Sequence, residues 1–144
     1  MSTTNKFILL VDDDEDDRLF FQEALEDLDN PIALEMAEHG EDALQQLEKK
    51  SGPMPDAIFL DLNMPVLDGH QCLKLIRSNP AFDAIKIVIY STSYNPEVAK
   101  VLENDGANHY IRKPSNYLSL KNIINTALSI INGRASDQSF LINI

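Results

Sequence analysis

Asp61 closes a short apolar run, residues 57–60, and opens the stretch Leu-Asn-Met-Pro-Val-Leu-Asp-Gly69. A fully apolar run of that length reads as a strand covered on both faces. Asn63, Pro65, Asp68 and Gly69 are turn and helix-start residues. Asp61 is therefore expected at the carboxyl end of a central strand, with its side chain in a crevice. A second run, residues 6–11 (Lys-Phe-Ile-Leu-Leu-Val), stops in the same way at Asp12-Asp13. If the two strands are parallel neighbours, Asp12, Asp13 and Asp61 share one edge of the sheet. Like charges in one crevice repel, so the cluster calls for a hard cation. Mg²⁺ suits it, because Mg²⁺ takes one or two carboxylates, several waters and a phosphate oxygen.

Two further strand-like runs end at Ser91-Thr92 and at Lys113-Pro114, which adds a hydroxyl and an ammonium to the same edge. Asp61 can then act as a nucleophile on a phosphoryl group and form an acyl phosphate. Phosphoryl transfer needs in-line positioning and neutralised equatorial oxygens more than covalent help. Mg²⁺ on Asp13 and Asp61 serves one oxygen, Lys113 a second and the Ser91 hydroxyl a third. Alone, Lys113 reads as a surface lysine and Ser91 as a strand-end cap. Their joint placement at strand ends carries the inference.

The elements that must position these residues alternate. Residues 14–29 read as a helix capped by Asp14, with Phe21, Ala24, Leu25 and Leu28 on its buried face. A short strand at 32–37, with Glu35 outward, and a helix at 41–50 burying Ala43, Leu44 and Leu47 come before the Asp61 strand. A helix from Asp68 runs to Ser78 and stops at Asn79-Pro80. Residues 85–90 form a fourth strand. Asn95-Pro96 starts a helix expected to bury Val98, Val101 and Leu102 and to end at Gly106. Residues 108–112 form a fifth strand. The last helix carries Leu120, Ile123, Ile124, Ala127, Leu128 and Ile131 on one face. The polar segment after it leads to an apolar end, Phe140-Leu-Ile-Asn-Ile144, expected to dock on this chain or on a partner. Alternating strands and helices imply an α/β doubly wound parallel sheet with helices on both faces. Such sheets bind ligands at the carboxyl ends of their strands.

Composition narrows the function classes. A chain of 144 residues suits one core. No run is long enough for a membrane span and the start has no secretory pattern, so the reading is cytoplasmic, without membrane contact. The single Cys72 excludes a disulfide framework and a thiolate metal site, and it reads as packing. A formal net charge of −11 argues against nucleic-acid binding. His39, His70 and His109 show no ligand spacing. Asp12-x-Asp14-x-Asp16 with Glu23 has the spacing of a calcium loop, but Asp17 stands where that loop needs Gly, and a strand precedes it rather than a helix. An aspartyl phosphatase also opens with an apolar strand and Asp-x-Asp, but this chain is short for one and has no room for a cap domain.

The chain resembles the receiver domain of two-component response regulators over residues 6 to about 131. The resemblance rests on Leu-Val-Asp-Asp at 10–13, Asp-Leu-Asn-Met-Pro-Val-Leu-Asp-Gly at 61–69, Ser91, Gly106-Ala107, Tyr110 and Lys113-Pro114. It is most similar to stand-alone, chemotaxis-regulator-like receivers, and among those to the ones that work with phytochrome-type sensor kinases. The resemblance implies a flavodoxin-like sheet of five strands in the order 2-1-3-4-5. It makes Asp61 the phosphoacceptor, charged from a phosphohistidine on a sensor histidine kinase or phosphotransfer protein. Mg²⁺ or Mn²⁺ is held by Asp13 and Asp61, by Asp12 through water and by the Asn63 backbone carbonyl. Lys113, Ser91 and Thr92 meet the phosphoryl group. Ser91 and Tyr110 form the switch pair, and the Lys113–Pro114 bond is expected to be cis. The partner face is the fourth helix, fifth strand and fifth helix, which also serves a homodimer.

This chain departs from the family pattern at Ser91 and Thr92, at Asn63 and Ser93 flanking the phosphoryl site, and in its C-terminal tail. Ser91 replaces the commoner Thr and loses its β-branch. Thr92 is larger than the usual Ala and narrows donor access. Residues 1–131 are expected to form the receiver and 132–144 a tail, with no output domain. The expected activity is that of a signalling protein rather than an enzyme. An Mg²⁺-dependent phosphatase and an unphosphorylated interaction module are the alternatives.

Overall fold

A computed structural model describes residues 7–29, 32–49, 52–133 and 139–142. Lys6, Asn30-Pro31, Lys50, Ser51, the polar start of the tail at 134–138 and the final Asn143-Ile144 lie outside the described residues. The elements are β1 (Phe7–Val11), α1 (Glu15–Glu26), β2 (Ala33–Ala37), α2 (Gly40–Lys49), β3 (Ala57–Leu60), α3 (Gly69–Arg77), β4 (Lys86–Ser91), α4 (Pro96–Asn104), β5 (His109–Arg112) and α5 (Tyr117–Ile131). All strand pairs are parallel, and the order is β2-β1-β3-β4-β5. The expected doubly wound α/β sheet, in the order 2-1-3-4-5, is therefore present. Among the described residues no helix is long and apolar enough to cross a membrane.

Every residue of β1 and β3 is buried, as their unbroken apolar runs require. Alternate residues feed two cores. Leu9, Val11, Ile58, Leu60, Ile87 and Ile89 pack with α2, α3 and α4. Ile8, Leu10, Phe59, Val88 and Tyr90 pack with α1 and α5. Cys72 is fully buried on α3, as expected for a packing residue.

The helix starts follow cap chemistry. The Asp14 carboxylate accepts the Asp17 N–H at 3.1 Å. Asp68 and Gln71 form a reciprocal capping box at α3. Asn95 followed by Pro96 starts α4, and Asn116 starts α5.

One helix face differs from expectation. On α4 the buried residues are Ala99 and Leu102, while Val98 and Val101 are 45% and 47% exposed. Residues 98, 99, 101 and 102 are all apolar, so the period alone admits two faces one residue apart. The structure takes the one that puts the small Ala99 against the sheet. Glu35 and Leu28 are half-buried rather than outward and buried respectively.

The apolar end of the tail docks on this chain. The Tyr110 N–H donates to the Phe140 carbonyl at 2.8 Å, and the Ile142 N–H donates to the Tyr110 carbonyl at 2.9 Å. Leu141 thereby bridges Tyr110 in parallel sense along the free edge of β5, and Ile142 is buried beneath it.

Candidate functional site

The register assembles the acidic cluster. Val11 pairs with Leu60, so the next residues, Asp12 and Asp61, leave the sheet side by side. The Asp61 N–H donates to the Val11 carbonyl at 2.9 Å and carries the ladder one step past the strand. Carboxylate oxygens of Asp12, Asp13 and Asp61 lie within 4.8 Å of one another. Asp12 and Asp61 are buried, whereas Asp13 faces solvent.

Each carboxylate has a different set of partners. Asp12 is engaged at both oxygens: Oδ1 accepts from the Asp14 N–H at 3.0 Å and Oδ2 from Lys113 Nζ at 2.8 Å. Asp61 is held far more loosely. Its Oδ1 accepts a long bond from the Asn63 N–H at 3.4 Å and lies 3.8 Å from Lys113 Nζ. Burial, opposed by the Lys113 charge and reinforced by Asp12 and Asp13, pushes the Asp61 carboxyl up to about 6.

β4 and β5 bring the remaining groups. The Lys113 N–H donates to the Ser91 carbonyl at 2.7 Å, which places the lysine just beyond the β4–β5 ladder. Its ammonium lies 5.1 Å from the centre of the Tyr90 ring and also contacts Asp17 Oδ2 at 2.9 Å. Burial pulls the Lys113 pKa down, but its bonds to Asp12 and Asp17 outweigh that and raise it. The buried Ser91 hydroxyl accepts from Asn63 Nδ2 and from the Ser93 N–H, each at 3.4 Å.

The structure brings Asp12, Asp13, Asp61, Asn63, Ser91 and Lys113 together. Tyr110 is linked at one remove: its ring is buried and its hydroxyl donates to the Ser93 carbonyl. The Tyr94 ring meets it edge-on at 5.1 Å. Thr92 is exposed, and the recorded bond is to its carbonyl, from Arg112 Nε at 3.3 Å. The expected cis bond at Pro114 is corrected, because no described peptide bond is cis. Trans is the lower-energy X–Pro isomer by about 0.5–1 kcal/mol, and Lys113 reaches Ser91 and Asp12 from it.

Sequence reasoning missed three participants. Asp17 lies one helical turn after Asp13, a spacing that places both at the site end of α1. The Asn63 side chain and the Tyr90 ring had no signal beyond their nearness to Asp61 and Ser91 in the chain.

The donor set fits a divalent cation. The charges of Asp12 and Asp13 add to the rise at Asp61, and Lys113 offsets only part of it. Hard oxygen donors at this spacing are what Mg²⁺ and Mn²⁺ select.

Residues 8–125 match the family described as the response regulator receiver domain. Response regulator Rcp1 of Synechocystis is 33% identical over 123 residues, which cover 83% of this chain and 84% of Rcp1. A crystal structure of the phosphorylated cyanobacterial phytochrome response regulator RcpA superposes with a TM-score of 0.82 at 31% identity, covering 94% of this chain and all of RcpA. The Mn²⁺-bound form of Rcp1 gives a TM-score of 0.76 at 30% identity, covering 86% of this chain and 92% of that one. With its strand order and its acidic strand ends in the matched region, this chain belongs to the response regulator receiver family.

Proposed function

We propose that the chain accepts a phosphoryl group on Asp61 from a phosphohistidine and signals by phosphorylation-dependent binding or relay. One observation carries the reading. Of the two buried carboxylates in the cluster, Asp61 is the loosely bonded one, with Lys113 Nζ 3.8 Å away, whereas Asp12 is bonded at both oxygens. An Asp61 oxygen attacks phosphorus, the P–N bond breaks, and its electron pair leaves on the imidazole, which takes a proton. The products are an acyl phosphate and free histidine. Asp13 and Asp61, with Asp12 through water and the Asn63 carbonyl, would hold Mg²⁺ or Mn²⁺. The bound ion supplies charge neutralisation at a phosphoryl oxygen. Lys113 serves a second oxygen. The Ser91 hydroxyl and the Thr92 backbone serve the third, and Ser91 with Tyr110 relays the change toward β5. The Rcp1 structure with Mn²⁺ supports the choice of metal.

The donor in this reading is a sensor histidine kinase or phosphotransfer protein, met in the cytoplasm. Val98 and Val101, exposed on α4, suit a partner or a second copy on the face formed by α4, β5 and α5. Residues 132–144 act as a tail on the receiver. The test is intact mass after incubation with Mg²⁺ and a small acyl phosphate. Uptake of one phosphoryl group by the wild type, lost with chelator and lost in Asp61→Asn, supports the reading. Equal uptake by Asp61→Asn overturns it.

A further inference from the structure

We propose that Asp17 is a positioning residue for the phosphoryl transfer: it tethers the Lys113 ammonium away from Asp61 and competes with the phosphoryl group for it. The inference rests on the reading of Asp61 as the acceptor.

The ammonium has three N–H donors. One goes to Asp12 Oδ2 at 2.8 Å and one to Asp17 Oδ2 at 2.9 Å, while Asp61 Oδ1 stays outside hydrogen-bond distance at 3.8 Å. The two bonded carboxylates are not equivalent. The Asp12 side chain is fully buried, so no water can replace Lys113 on it without opening the crevice. The Asp17 side chain is 37% exposed, so water can take over its solvation when the lysine leaves. Asp12 is thus the fixed anchor and Asp17 the exchangeable tether. Local structure holds the tether in place. The Asp17 N–H is tied to the Asp14 cap at 3.1 Å, which sets the first turn of α1 and aims the carboxylate at β5. The Tyr90 ring, 5.1 Å from the ammonium, limits the other side.

A phosphoryl group on Asp61 places new anionic oxygens beside Lys113. The ammonium then swings from Asp17 toward them while it keeps Asp12, and Asp17 returns to solvent. Asp17 opposes the transfer in two ways: it holds the cation, and it adds a negative charge near an anionic donor. Only the first depends on the contact with Lys113, and a neighbouring acid separates the two. Asp16 lies exposed in the same first turn and makes no recorded bond to Lys113.

The experiment compares the full chain with Asp17→Asn, Asp17→Glu and Asp16→Asn, using Mg²⁺ and acetyl phosphate as the probe. Uptake and decay of the phosphoryl group are followed by intact mass, and Mg²⁺ affinity is titrated separately. The expected result is uptake by Asp17→Asn about two- to fivefold faster than by Asp16→Asn, the worth of a half-exposed ion pair. Asp17→Glu should return toward the wild-type rate. Mg²⁺ affinity should agree between the two Asn variants, since Asp17 is not in the metal cluster. In ¹⁵N spectra the Lys113 ammonium signal should move in Asp17→Asn and stay in place in Asp16→Asn. Equal rates for the two Asn variants, or slower uptake by Asp17→Asn, overturns the inference while leaving Asp61 as the acceptor. No uptake by the wild type or any variant overturns the acceptor reading and the inference with it.

Discussion

Gly69 and Asp61 approach so closely that a Cβ on the glycine would lie 2.2 Å from the Asp61 carbonyl oxygen. The Gly69 N–H also donates to the Leu62 carbonyl at 3.0 Å. The start of α3 therefore rests directly on the backbone that presents the Asp61 side chain, the proposed acceptor. Both contacts are backbone, so no flexible side chain can yield. Gly69→Ala is expected to cost about 1–3 kcal/mol, the usual range for overpacking, and to displace Asp61. Urea unfolding gives the stability. Phosphoryl uptake measured under conditions where the variant stays folded should fall as well, and normal uptake would contradict the account.

Asp61 links stability to pH. Burial pushes its carboxyl from 3.8 up to about 6. A carboxyl raised on folding contributes stability that is complete below its unfolded value and is lost as pH rises through the folded one. In chelator-treated protein, Asp61→Asn should exceed the wild type near pH 8 by about 3 kcal/mol. Near pH 4 that gap should largely close. A gap of the same size at both pH values would contradict the stated cause.

Arg77 ties four acceptors together. Its guanidinium donates to the carbonyls of Gly106 (2.9 Å), Phe82 (3.0 Å) and Ile85 (2.8 Å) and to Asn108 Oδ1 (3.0 Å). Asn108 Oδ1 in turn accepts the Ile87 N–H at 2.8 Å, so the fork locks α3 to the start of β4 and to the turn between α4 and β5. Lysine cannot reproduce the planar fork. Arg77→Lys should cost about 2–3 kcal/mol, as buried acceptors lose their donors. Chemical unfolding checks this, and a loss under half a kilocalorie would show that water replaces the fork, against about 1 kcal/mol for even one ordinary bond.

The docked tail has a clean reporter. The Tyr110 amide is bonded to Phe140, so its protection depends on the tail. Ile142→Ala removes a buried anchor. Global stability should fall only by the free energy of docking, since the tail can open locally. Amide exchange at Tyr110 should accelerate, while the interior strand β4 keeps its protection. Unchanged exchange at Tyr110 would mean that the tail is not held there by Ile142.

The sequence made the sheet and most of the site legible for physical reasons that did not reach everything else. The runs ending at Asp12 and Asp61 are unbroken apolar stretches from Phe7 and from Ala57, so their burial and their abrupt polar stops admit one reading. Ser91 and Lys113 follow from the same logic one strand farther on. The face of α4 was not legible, because Val98, Ala99, Val101 and Leu102 satisfy two helical phases equally. Asp17 was hidden among six consecutive acids at 12–17, and its partner Lys113 returns 96 residues later. The role of Arg77 has no local sequence signal, because its acceptors are three backbone carbonyls and the Asn108 side chain. The tail's partner depended on which edge of the sheet is left unpaired, and that follows only from the strand order.

The central claim is that Asp61 alone takes the phosphoryl group. Its most direct test is borohydride reduction of the protein after treatment with Mg²⁺ and acetyl phosphate, followed by peptide mapping. Reduction converts an aspartyl phosphate to homoserine and leaves free aspartate untouched. The account predicts homoserine at position 61 and unmodified aspartate at Asp12, Asp13 and Asp17. Homoserine at one of those positions, with residue 61 unchanged, would contradict it.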